Sequence, residues 1–261
     1  MSALDIAATG MLAQQLNVEV IANNIANMNT TAYKRQRPEF QDLLYQNLEL
    51  VGSTSSDSGT VDASGVQIGT GVQTSAVYRI TGQGNLVSTE NTFDLAIEEK
   101  GYFQVELPNG DTAYTRAGSF QLSPNREIVN SDGYRILPGI TIAADVTEIT
   151  INSTGEVLVK VAGQVTPQNV GQFELAVFPN EAGLQATGSN MFLESASSGN
   201  ATTGTPGSTG IGTIIQGFLE SSNVNMVTEI TSLIAAQRAY EMNSKVIQTS
   251  DEMMQTANQV T

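Results

Sequence analysis

The chain has 261 residues, enough for one large or two modest domains with real cores. It contains no Cys, His or Trp, which excludes disulfides, thiolate nucleophiles and zinc–sulfur sites and removes the commonest general base and metal ligand. Against 11 basic residues stand 26 acidic ones, a formal net charge of -15, which argues against nucleic acid or an anionic membrane as a partner.

The first segment has helical periodicity. Leu4, Met11, Val18 and Ile25 recur every seven residues, with Ala7, Gln14, Ile21 and Met28 as a companion row. Ser2 with Asp5 reads as a capping box. The opening, MSALDIAATG, has neither the basic nor the apolar region of a cleaved signal peptide, and no run in the chain is long and apolar enough to span a membrane. The helix is expected to end near Asn27 to Asn29, where clustered Asn favours caps and turns. Lys34, Arg35 and Arg37 form a basic cluster, read as a local anchoring patch. Pro38 breaks any continuous helix. Phe40, Leu43, Leu44 and Leu48 have the spacing of a short helix, with an extended arm as the competing reading. Gly52 to Thr60 reads as a polar, exposed tip or linker.

From Val66 to Leu193 the period shifts to that of strands. Pro108-Asn109-Gly110-Asp111 is a strong hairpin turn, Ser123-Pro124-Asn125 and Ser131-Asp132-Gly133 are further turns, and Val157, Val159 and Val161 alternate, as do Phe173, Leu175 and Val177. Turns recur about every 8–12 residues, the rhythm of an antiparallel sandwich or barrel-like domain. Ser195 to Thr213, rich in Ser, Thr and Gly, reads as a linker back to a helical layer.

Asn223 to Ala257 has no Pro or Gly. Met226, Leu233, Tyr240, Ile247 and Met254 recur every seven residues, widened by Ile230, Ile234, Ala239, Val246 and Met253. Asn225 can cap this helix, Glu229 suits its dipole, and its length is roughly 50 Å at 1.5 Å per residue. The expected class is α+β: the two terminal helices pair as a coiled-coil-like layer, and an all-β antiparallel domain is inserted between them. The expected boundaries are 1–30 and 217–261 for the helical domain, 31–75 for an arm, 76–194 for the β domain and 195–216 for a flexible linker. Gln14, Gln237, Ser244 and Asp251 make the helical seams partly polar, which fits helices that also meet other copies.

No chemistry-bearing constellation emerges, so the expectation is no catalytic, cofactor or metal site. Glu98 and Glu99 are adjacent and would point to opposite faces of a strand, which does not suit a paired acid and base. Gly69-Thr70-Gly71 and Gly82-Gln83-Gly84 do not complete a dinucleotide-binding pattern. The carboxylates between Asp57 and Asp62 lack calcium-loop spacing.

Ala22 to Arg35 (ANNIANMNTTAYKR) and Gly217 to Met254 (GFLESSNVNMVTEITSLIAAQRAYEMNSKVIQTSDEMM) resemble the N- and C-terminal signatures of bacterial flagellar rod and hook proteins. Gly84 to Val105 and Tyr114 to Ile136 are similar to the middle of the same family, so the resemblance covers nearly the whole chain. Gln36 to Gln46 with Gly65 to Val72 looks most like the distal-rod branch. Family members often carry Gly where this chain has Thr31-Ala32, and Gly close to the turn at Asn125 where this chain has Arg126. The resemblance implies a helically assembled, hollow drive shaft in the basal body, crossing the periplasm after type III export. It implies contacts with the chain's own copies, proximal rod proteins, hook protein and the L and P ring proteins. On this reading Met11, Val18, Ile25, Leu233, Tyr240 and Ile247 form an assembly seam, and Tyr33, Lys34, Arg35, Arg37 and Phe40 belong to a bridging arm. A proximal-rod or hook subunit, or a non-flagellar tube-forming or adhesin β protein, stays open as an alternative.

Overall fold

The computed structural model describes residues 3–47, 67–164 and 166–260. Ser2 of the expected capping box, Leu48, the tip Gly52 to Thr60, the carboxylates from Asp57 to Asp62, and Gly65 with Val66 lie outside the described residues. The chain divides into two compact units. One comprises residues 1–26, 36–78 and 225–261, and the other residues 27–35 and 79–224.

The first unit is built on α1 (Ala3–Ala26) and α2 (Met226–Val260), which pack antiparallel. Asn225 caps α2 as its sequence suggests: its Oδ1 accepts from the Thr228 amide at 3.2 Å. Two contacts set the register of the pair. Asn24 Nδ2 donates to Glu229 Oε2 at 3.1 Å, and Gly10 faces Asn243 so closely that a Cβ on Gly10 would lie 2.8 Å from Asn243 Nδ2. The same unit carries a two-stranded ribbon, β1 (Gln36–Asp42) with β4 (Val72–Arg79), continued by β2 (Tyr45–Asn47) with β3 (Gln67–Gly69).

The ribbon decides between the short helix and the extended arm through Phe40, Leu43 and Leu44 in favour of the arm. Burial along β1 alternates with period two, which puts Pro38 and Phe40 on one side and Arg37 and Glu39 on the other. The Leu43 amide donates to the Gly71 carbonyl at 2.9 Å, so the backbone donors here are met across the ribbon. Asn24 fastens the start of β1 to α1, donating to the Gln36 carbonyl at 2.8 Å and accepting from the Gln36 amide at 2.9 Å.

The second unit is the β unit. In chain order its strands are β5 (Leu86–Ser88), β6 (Leu95–Glu98), β7 (Tyr102–Glu106), β8 (Thr112–Thr115), β9 (Gln121–Leu122), β10 (Ile128–Val129), β11 (Val146–Ile151), β12 (Glu156–Val161) and β13 (Gln168–Gln172). They continue with β14 (Leu175–Val177), β15 (Gln185–Gly188), β16 (Met191–Leu193), β17 (Thr202–Gly204), β18 (Thr213–Gln216) and β19 (Phe218–Glu220). The main sheet has the order β15-β16-β8-β7-β14-β17, and β11-β12-β13 form a second sheet. The hairpin at Asn109-Gly110 joins β7 to β8, with Gly110 at φ +87°.

The central strands of the main sheet, β7, β8 and β14, are buried on both faces. Phe103, Val105 and Leu175 join Leu95, Phe120, Ile136 and Phe173 on one side, while Tyr102, Tyr114 and Ala176 meet Phe178 and Leu184 on the other. Edge-to-face ring pairs close both clusters: Phe103 with Phe120 at 5.0 Å and Tyr114 with Phe178 at 4.8 Å.

The segment 195–216, expected as a linker, is part of this unit. β17 closes the edge of the main sheet against β14, and β18 pairs with β6. Its small residues serve close approach: a Cβ on Gly212 would lie 2.0 Å from the Glu98 carbonyl oxygen. Residues 217–224, expected with the C-terminal helix, also belong here, since β19 pairs with β5.

Candidate functional site

The helical unit buries little and exposes much. Ala7, Ala13, Val20, Ile21 and Ala236 are buried along α1 and α2. Of the expected seam residues, Met11, Val18, Ile25, Leu233 and Ile247 are half-buried, and Tyr240 is 44% exposed. α1's companion row is thus the better buried, through Ala7 and Ile21. Small residues at Ala7, Gly10, Ala13 and Ala236 suit a close helix approach.

Outside this seam α2 displays a long apolar surface. Val227 is 75% exposed, and Ile230, Ile234, Met242, Val246 and Met253 are also solvent-facing. Since Gly10 is level with Asn243, the part of α2 from Asp251 onward passes beyond Ala3, so Met253 and Met254 have no α1 beside them. Exposed apolar area on this scale marks an interaction surface. The ribbon adds Leu44, Tyr45, Ile68 and Val77, all exposed. A two-stranded ribbon with open faces is marginal without a partner to cover it.

The expected arm residues separate. Arg37 and Phe40 lie in the ribbon. The Arg37 guanidinium sits 5.1 Å over the Tyr78 ring, donates to the Tyr78 hydroxyl and lies 3.5 Å from Glu39. Tyr33, Lys34 and Arg35 belong to the β unit. Lys34 is buried, and its Nζ donates to Glu220 Oε1 at 2.5 Å and to the Gly82 carbonyl at 3.0 Å. The Arg35 amide donates to Asn223 Oδ1 at 2.7 Å, and the Tyr33 carbonyl accepts from the Asn223 amide at 3.3 Å.

Glu220 is the centre of this knot. Arg116 Nε donates to its second oxygen at 2.6 Å, and the Gly84 amide donates to Oε1 at 2.8 Å. Arg116 also donates to the carbonyls of Ile97, Glu99 and Gly101. Burial pushes the Glu220 carboxyl up, but Arg116 and Lys34 outweigh it and hold the carboxyl below the usual range. The surplus positive charge falls on Lys34: burial lowers its pKa, Glu220 pulls it up, and Arg116 pushes it down again, for a net lowering. Sequence reasoning missed Glu220 and Arg116, which lie far from Lys34 in the chain and in no shared pattern. The available signal was one carboxylate in the otherwise uncharged stretch GFLESSN.

Ala32 and Arg126 are among the described residues other than Gly that have positive φ. Ala32 is buried at φ +56°, with its amide on the Glu220 carbonyl at 2.8 Å, and Arg126 has φ +62°. Ala32 thus holds the left-handed conformation without being Gly.

Three family models match the chain. "Flagella basal body rod protein" covers residues 4–34, "Flagellar hook protein FlgE/F/G D1 domain" residues 96–159, and "Flagellar basal body rod FlgEFG protein C-terminal" residues 215–260. The flagellar basal-body rod protein FlgG of Caulobacter vibrioides is 57% identical over 260 residues, covering 100% of this chain and 99% of the relative. The chain belongs to the flagellar basal-body rod protein family. FlgG of Agrobacterium fabrum is 50% identical over 253 residues, covering 97% of each chain, and FlgG of Bacillus subtilis is 38% identical over 252 residues, covering 95% of this chain and 94% of the relative. This rod protein is most like the FlgG members, and it is a structural subunit of the flagellar basal body. Its first and third matched segments contain α1 and α2, and the second runs from β6 into β12.

Proposed function

We propose that copies of this chain add helically to form the distal rod, a hollow shaft that passes motor torque to the hook. The observation that carries this reading is the unpartnered apolar surface of α2, held by an antiparallel helix pair in a chain that matches FlgG relatives end to end. A surface that meets a different surface of the next copy, through a rotation that does not close, generates a filament. The helix pairs form the inner layer, with Met11, Val18, Ile25, Leu233, Tyr240 and Ile247 reinforcing the seam. The ribbon, through Arg37, Phe40, Leu44 and Tyr45, bridges neighbouring copies, and Tyr33, Lys34 and Arg35 anchor the arm's root in the β unit.

In this role the rod crosses the periplasm. It meets proximal rod proteins below, hook protein above and the L and P ring proteins around it, after type III export. The chain acts by assembly and not as an enzyme, in keeping with a sequence that lacks Cys and His. The acidic surplus favours solubility before assembly.

The test replaces Ile230 and Ile234 by Asp in cells that have no other copy of this rod subunit. Both side chains are exposed, so the free subunit keeps the thermal unfolding midpoint of its β unit, while basal bodies lack a distal rod and the cells do not swim. Normal rods from this variant would overturn the reading.

A further inference from the structure

Asn223 ties together three stretches of chain that lie far apart in sequence. The chain passes between the two units after residues 35, 78 and 224. β1 starts at the first of these points, β4 ends at the second and α2 begins just after the third. Asn223 stands beside the third point and bonds to backbone beside the other two. Its amide donates to the Tyr33 carbonyl at 3.3 Å, and its Oδ1 accepts from the Arg35 amide at 2.7 Å. Its Nδ2 donates to the carbonyls of Ile80 at 2.9 Å and Gly82 at 2.8 Å. All of these residues belong to the β unit.

The geometry is that of a replaced rung. Two residues that face each other across an antiparallel ladder exchange both amide-to-carbonyl bonds. At the root of the ribbon the Ile80 amide donates to the Arg35 carbonyl at 2.8 Å, which is one half of such a pair. The other half, from the Arg35 amide to the Ile80 carbonyl, runs through the Asn223 carboxamide, which accepts from Arg35 and donates to Ile80. A carboxamide carries both an acceptor and a donor and so stands in for a peptide group between two strands. A carboxylate of the same length has no donor for the Ile80 and Gly82 carbonyls, and a methyl group offers neither function.

The ribbon needs such a pin. β1 and β4 are exposed along much of their length, and a strand pair without a buried face specifies its register weakly. A slip by one residue would carry Arg37 to the side of Phe40 and the reverse. At the root the same slip would move the backbone by about 3.4 Å, beyond the reach of the Asn223 carboxamide. Two residues later Asn225 caps α2, so one short segment holds the ribbon's root with its first Asn and starts the helix with its second.

We propose that Asn223 is the positioning residue of the bridging ribbon: it sets the register in which β1 and β4 leave the β unit and ties that register to the segment that leads into α2. This rests on the rod reading above, in which the ribbon bridges neighbouring copies. A slipped ribbon would offer its neighbour Phe40 in place of Arg37, so bridging requires the pin while the β core does not.

The test uses Asn223→Ala in the full chain. In the free subunit the Arg35 amide should exchange about tenfold faster than in the parent, because its acceptor is gone. Residues 95–105 and 113–120 should keep their protection. In cells that have no other copy of this subunit, basal bodies should lack a distal rod and the cells should not swim. Asn152→Ala is the control for stability alone. Asn152 Oδ1 accepts from the Glu156 amide at 2.9 Å and the Thr154 hydroxyl at 2.8 Å, and its Nδ2 donates to Glu156 Oε2 at 2.7 Å, at the turn between β11 and β12. That variant should lower the denaturation midpoint of the β unit and leave rods and swimming intact. Unchanged exchange at Arg35, normal rods from Asn223→Ala, lost β-core protection in that variant, or rods lost equally in Asn152→Ala would overturn the proposal. A parent chain that builds no rods in the same cells would instead overturn the rod reading, and the Arg35 amide would still report on the pin.

Discussion

The β unit and the helical unit use apolar side chains in opposite ways. In the β unit Phe103, Phe120, Phe173, Leu95 and Ile97 are sealed between sheets, and even the charges of Glu220, Lys34 and Arg116 are buried and matched inside it. In the helical unit small residues such as Ala7, Ala13 and Ala236 occupy the buried seam, while Ile230, Ile234, Met242 and Met253 face solvent. The β unit closes its core on itself, and the helical unit leaves apolar surface exposed. This contrast teaches that one chain can hold a unit with a closed apolar core beside a unit that leaves apolar surface open.

The sharpest way to break the contrast is at Glu220. Glu220→Ala strands Lys34 and Arg116 as buried, uncompensated cations and should cost the β unit about 3–5 kcal/mol, read from chemical denaturation followed by circular dichroism. An unchanged midpoint would show that the triad is not holding the unit together. Acid should act on the same group. Glu220's folded pKa lies below its unfolded value, so its contribution is full above about pH 4.3 and is lost as pH falls through the folded pKa. A Glu220→Gln chain should lack that part of the acid dependence, and an identical pH profile would exclude Glu220 as its source.

Phe103→Ala should cost a similar amount, about 3–5 kcal/mol, because the ring is fully buried against Phe120 and Phe173. A smaller penalty is expected in the helical seam. Ala236→Leu overpacks the α1–α2 contact and should cost about 1–3 kcal/mol of helix-pair stability without moving the β unit's own transition. A β-unit transition that shifts equally would show the two units to be one cooperative block. The smallest effect is expected at Ala32. Replacing it by Gly removes left-handed strain but loosens the unfolded chain, so the net change should stay under about 1 kcal/mol, while Ala32→Val should cost about 2 kcal/mol or more. Equal stability of the Val and Gly variants would contradict a positive φ at this position.

Much of this organisation is legible in the sequence. The seven-residue rows locate both helices, Asn225 announces the start of the second, and Asn109-Gly110 marks the central hairpin, because each signal is local or periodic. Composition misleads at 195–216, where Ser, Thr and Gly suggest a linker. There the Ser195 and Ser198 hydroxyls satisfy turn backbone, and Gly212 allows β18 to approach β6. Spacing leaves Phe40 to Leu44 undecided between helix and extended arm, since a helical period over so few residues also fits a ribbon with exposed apolar side chains. The Lys34–Glu220–Arg116 triad is not legible because it joins three distant points of the chain by charge alone. The helical seam is displaced from its expected row for a related reason: apolar residues are present all around α2, and burial within one subunit uses only part of them.

The central claim is that the helical unit is completed by neighbouring copies. Hydrogen–deuterium exchange on the free subunit and on isolated basal bodies tests it most directly. The account predicts that residues 3–26, 67–78 and 226–260 exchange readily in the free subunit and become protected in the rod, while residues 95–105 and 113–120 are protected in both. Helices already as protected in the free subunit as the β core, with no further gain on assembly, would contradict it.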